Sequence, residues 1–80
     1  MKLPRDISGA DLAKSLRRLG YEIDRQSGSH IRLTTQQRGE HHVTIPAHDP
    51  LKIGTLNAIL RDIAEHFAMD RDTLLGTLFQ

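Results

Sequence analysis

Apolar residues recur along this chain first at a helical spacing, then at every second position, then at a helical spacing again. Ile7, Leu12, Leu16 and Leu19 stand three to five residues apart, which lays one apolar stripe along a helix. Ser8 precedes the stripe with Asp11 three residues on, a shortened capping box, and Ile7 and Leu12 hold the positions of a hydrophobic staple. Gly20 stands where a left-handed C-terminal cap belongs. The pattern predicts a helix from Gly9 to Leu19 with Ser8 as N-cap.

From Tyr21 the period falls to two. Tyr21 with Ile23, Ile31 with Leu33, and Val43 with Ile45 alternate with polar residues, which predicts three short strands with one wet face. A loop over Gln36 to Glu40 pairs Leu33 with Val43 and Ile31 with Ile45, sending all four side chains into the core. For the first hairpin, a three-residue loop from Ser27 to Ser29, with Gly28 at positive φ, sets Ile23 opposite Leu33. That register puts His30, Arg32 and Thr34 on the wet face, beside His42 and Thr44 on one side and Glu22, Asp24 and Gln26 on the other. Pro46, predicted partner of His30, ends the third strand because it has no ladder donor.

Leu56, Ile59, Leu60, Ile63 and Phe67 restore the helical spacing, predicting a second helix from Ile53 or Gly54 to Phe67 that covers the sheet. Asp70 as cap, Met69 and Leu74 as staple, and Leu74, Leu75 and Leu78 as apolar face announce a short last helix, Arg71 to Leu78. The expected fold is α+β: a two-layer αβββα sandwich plus a short C-terminal helix, in a single domain over residues 1–80. With 80 residues, the core is modest, and with no Trp, one Tyr and two Phe it is aliphatic. Zero Cys excludes disulfides and thiolate metal sites, and the lack of a long apolar run points to a cytoplasmic protein without a membrane partner.

Net charge is only +1, but it is unevenly spread. Residues 1–39 carry eight basic against four acidic side chains, and residues 40–80 carry three against six. The first half therefore suits an anion. Lys14, Arg17 and Arg18 share one helix face, where they either meet that anion or complement the negative end of the helix dipole.

The αβββα order, the segment Tyr21 to Leu33 with Gly28-Ser29-His30, the run Thr44-Ile45-Pro46-Ala47-His48, and Gly54-Thr55-Leu56 leading into Ile59-Leu60 resemble the HicA toxins of bacterial type II toxin-antitoxin systems. The resemblance covers nearly the whole chain, and the tail from Glu65 onward is less characteristic. It implies a fold like the double-stranded RNA-binding domain and an mRNA interferase held inactive by a HicB-like antitoxin. It also implies a catalytic histidine at His30.

Cofactor-free RNA cleavage needs a base for the 2′-hydroxyl, an acid for the leaving 5′-oxygen, and cations for the charge on phosphorus. An imidazole with an unperturbed pKa of about 6.5 serves as base, acid or both. His30 is the expected catalyst, Ser29 orients the imidazole or donates to phosphate, and Arg32 meets a non-bridging oxygen. Lys14, Arg17, Arg18, Arg25, Gly28 and Arg32 are the expected RNA contacts. His42 lies about 13 Å of strand rise from His30, too far to share a phosphate. His48, two residues past the partner of His30, is the candidate second group. His41 and His66 read as surface histidines without a role. No metal site is expected, because His41 and His42 point to opposite faces. The expected partners are mRNA and the antitoxin, with DNA reached only through the antitoxin; the alternative is a non-catalytic RNA-binding module.

Overall fold

The computed structural model describes residues 3–80. Helix α1 (Gly9–Ser15) runs on as a 3-10 turn, Leu16–Leu19, and three strands follow: β1 (Glu22–Ser27), β2 (His30–Thr35) and β3 (His41–Pro46). Helices α2 (Ile53–Phe67) and α3 (Arg71–Phe79) complete the chain. The sheet is antiparallel in the order β1-β2-β3. Helix α1 packs on β2 and β3, α2 packs on β3, and α3 rests against α2 and the 3-10 turn. One sheet face is left open, which gives the expected α+β layering.

The caps act where the sequence places them. Ser8 Oγ accepts from the Asp11 amide at 3.0 Å, Asp70 Oδ1 accepts from the Thr73 amide at 2.7 Å, and Gly20 closes the 3-10 turn at φ 79°. The helical stripes and inner strand positions form one aliphatic core in which Leu12, Leu16, Leu33, Ile45, Leu56, Leu60 and Ile63 are each at most 1% exposed. Each such burial stabilises by about 1.5–3 kcal/mol.

The second hairpin has the expected register. Ile31 faces Ile45, Leu33 faces Val43, and His30 faces Pro46. The first hairpin corrects the expectation. Ser27 pairs directly with His30, so the turn has two residues, Gly28 and Ser29, rather than three. Gly28 has a φ of 53° and Ser29 stays at negative φ, the sign pattern of a type II′ turn with glycine first.

Two-residue closure shifts the register near the turn by one: Gln26 meets Ile31 and Arg25 meets Arg32. A bulge at Asp24 then restores Ile23 opposite Leu33. Gln26 therefore lies on the helix side rather than on the wet face. All six β1 residues are exposed, and Ile23, expected in the core, is 45% exposed. Helix α1 packs chiefly on β2 and β3, so the edge strand is only thinly covered.

Candidate functional site

The sheet end that holds His30 is assembled from three chain segments. Past Pro46 the third strand makes one more bond to the second, the Ala47 amide donating to the Ser29 carbonyl at 2.6 Å. The chain then turns toward α1, where the Gly9 amide donates to the His48 carbonyl at 2.9 Å and the Leu51 amide to the Ile7 carbonyl at 2.8 Å. His48 is thus moored by its backbone at the same sheet end as His30, with its side chain exposed.

Gly9 makes this approach possible. A Cβ there would lie 2.1 Å from the Pro46 carbonyl oxygen, closer than any side chain permits. Reading the sequence alone missed this residue. The available signal was a glycine directly after the N-cap, where alanine is a better helix former.

His30 starts β2 with an exposed side chain. Its Nδ1 lies 3.4 Å from Ser29 Oγ, and its Nε2 has no partner among the described residues. Of the charged residues expected nearby, Arg25 and Arg32 stand directly opposite each other, one residue pair along from Ser27 and His30. Neither guanidinium has a hydrogen bond or ion pair to a described residue. Gly28 sits at the tip of the turn with nothing within 4 Å of where a Cβ would be.

Lys14 and Arg17 lie elsewhere. They line a shallow groove between α1 and β1 with Ala13, Ile23, Gln26 and Ile31. Arg18 is engaged at the far end of the molecule, its Nη1 donating to the Thr77 carbonyl at 3.1 Å and to the Gln80 carbonyl. It thereby satisfies carbonyls left open at the C-terminal end of α3. An RNA contact by Arg18 would compete with that capping role.

The remaining open-face residues form a separate network. Thr34 Oγ1 bridges Asp24 and His42 Nδ1, and His42 Nε2 donates to Glu40 at 2.9 Å. That bond, with one from Gln36, holds the Glu40 carboxyl below the usual glutamate range. His42 is thus committed to carboxylates at the opposite end of β2 from His30.

His41 and His66, expected to be idle surface histidines, are instead bound into the fold. The Tyr21 hydroxyl meets His41 Nδ1 at 2.7 Å, and His41 Nε2 meets Asp62 at 3.2 Å. With the hydroxyl donating, Nε2 keeps its hydrogen for the carboxylate, and every polar atom is satisfied. His66 stacks on His41 with ring centroids 4.4 Å apart, and its Nε2 donates to the Gln37 carbonyl. Burial, then the charge of Asp62, push the Tyr21 phenol well up. This network ties α2 to β3 and belongs to the stability of the fold.

Among the described residues no three His, Cys, Asp or Glu side chains are placed to hold a metal ion. No described helix is long and apolar enough to cross a membrane. No curated protein and no solved structure matches the chain. The family model of the HicA toxin of bacterial toxin-antitoxin systems matches residues 9–64, from the glycine at the start of α1 to Ala64 near the end of α2. The chain therefore belongs to the HicA toxin family, as the toxin member of a toxin-antitoxin pair with a cognate antitoxin for a partner.

Proposed function

We propose that this toxin is an endoribonuclease that cleaves mRNA by side-chain catalysis, with His30 moving the proton. The supporting observation is an exposed imidazole with Ser29 Oγ 3.4 Å from Nδ1 and Nε2 without a partner among the described residues, at a sheet end that also carries Arg25, Arg32 and His48. His30 takes the proton from a ribose 2′-hydroxyl, the 2′-oxygen bonds to phosphorus, and the bond to the 5′-oxygen breaks. The leaving oxygen takes a proton from a second group, for which His48 is the candidate. Arg32, two residues along the strand from His30, draws the non-bridging oxygens of the bound backbone beside the reacting phosphate. Ser29 is a positioning residue for the imidazole. The products are a 2′,3′-cyclic phosphate and a 5′-hydroxyl.

Lys14, Arg17 and Arg25 hold the flanking backbone, so binding weakens as salt rises. A HicB-like antitoxin covers the His30 face in the cytoplasm, and any DNA contact runs through that antitoxin. The test is His30→Ala: cleavage disappears, while RNA binding stays within a few-fold of wild type. Cleavage retained by purified His30→Ala protein would overturn the reading. Absence of cleavage in the wild type, with salt-sensitive RNA binding intact, would establish the non-catalytic RNA-binding module instead.

A further inference from the structure

We propose that Arg25 and Arg32 form a single phosphate-binding fork on the open face of the sheet, and that it holds the phosphodiester next to the one on which His30 acts. The second half of this statement rests on the endoribonuclease reading.

The argument starts from the two-residue turn. Closing at Gly28 and Ser29 makes Arg25 the direct partner of Arg32, whereas a three-residue loop would have put Asp24 there. Residues directly opposite in an antiparallel pair point to the same face with Cβ atoms about 4.5–5.5 Å apart, and like charges there are destabilising. Among the described residues no hydrogen bond or ion pair relieves this pair, and only the Glu40 carboxylate attracts Arg32 through space, as the last of the influences on that carboxyl. Asp24 is held by Thr34, and Glu40 by His42 and Gln36. Two arginines directly opposite each other on one face, each without a hydrogen bond or ion pair to a described residue, suit an anion with several acceptor oxygens.

The open face is thereby divided into three rows across the strands. Ser27, His30 and Pro46 make the first, Arg25, Arg32 and Thr44 the second, and Glu22, Thr34 and His42 the third, with the bulged Asp24 leaning onto Thr34. Successive rows are about 6.5–7 Å apart, two residues of strand rise, comparable to the step between neighbouring phosphates of an extended polynucleotide. A phosphate at His30 thus brings its neighbour over the arginine row. The third row carries carboxylates and repels a further phosphate, so the sheet face accommodates two phosphates and no more.

The test follows the arginine Nε–H resonances of the wild-type protein during a titration with inorganic phosphate. Arg25 and Arg32 are expected to respond together with one midpoint, and Arg25→Gln should weaken the Arg32 response about tenfold. In a His30→Gln background, Arg25→Gln and Arg32→Gln should each weaken binding of a trinucleotide with two phosphodiesters about tenfold. The double variant should be little worse than either single one, because one shared phosphate is lost only once. Arg61→Gln on α2 serves as the unaffected control.

Separate midpoints, an Arg32 response indifferent to Arg25→Gln, or a double variant about a hundredfold weaker would overturn the fork. The two readings fail separately. RNA cleavage with independent arginines retains the nuclease and discards the fork, whereas joint phosphate binding without cleavage retains the fork and discards the nuclease.

Discussion

The two hairpins share β2 yet are specified by different physics. Between β2 and β3 six consecutive pairs run without a break, and Ile31, Leu33, Val43 and Ile45 lie under the helices. A slip of one residue there would turn the two apolar side chains of the slipping strand into water, so burial alone sets the register. Between β1 and β2 no β1 residue is buried, so the same penalty is absent. Turn chemistry decides instead, and the bulge at Asp24 absorbs the mismatch. The candidate chemistry lies along the less constrained hairpin, where an exposed strand can carry charges that a covered one cannot.

Substitution sharpens this contrast, and the largest effect is expected in the covered hairpin. Leu33→Ala should destabilise by about 2–5 kcal/mol in urea unfolding, whereas Ile23→Ala, its direct partner, should cost under about 1 kcal/mol. Equal losses would show that β1 contributes to the core after all. Next come the two glycines that frame the site. Gly9→Ala should cost roughly 1–3 kcal/mol, because its Cβ would collide with the Pro46 carbonyl, and the Ala47 and His48 amide resonances should move with it. Unchanged amides at Ala47 and His48 would detach α1 from the site.

Gly28→Ala should cost only about 1 kcal/mol, for a different reason: the space is open but φ is 53°. D-alanine placed at position 28 by chemical synthesis should recover the loss, and failure to do so would exclude the II′ reading.

The smallest effect concerns acid. The Glu40 carboxyl is held low chiefly by its bond from His42. A depressed carboxyl contributes stability above its unfolded pKa, about 4.3, and that contribution is lost as pH falls through the lower folded value. Glu40→Gln should therefore flatten the acid limb of the stability profile slightly, since the pair is exposed. Identical acid limbs for the two proteins would remove the His42–Glu40 contact from the energetics.

The sequence by itself determined the element order, the helix caps, the register of the second hairpin and the exposure of His30 at the start of β2. Each follows from local rules or from an apolar period that only one pairing satisfies. Tertiary structure alone decided which residues meet across unburied surface. It placed Arg25 opposite Arg32, turned Gln26 toward α1, drew Arg18 onto the end of α3 and bound His41 between Tyr21 and Asp62. The reason is physical: hydrophobic periodicity encodes only the contacts that exclude water, whereas polar contacts depend on where the backbone has already been carried.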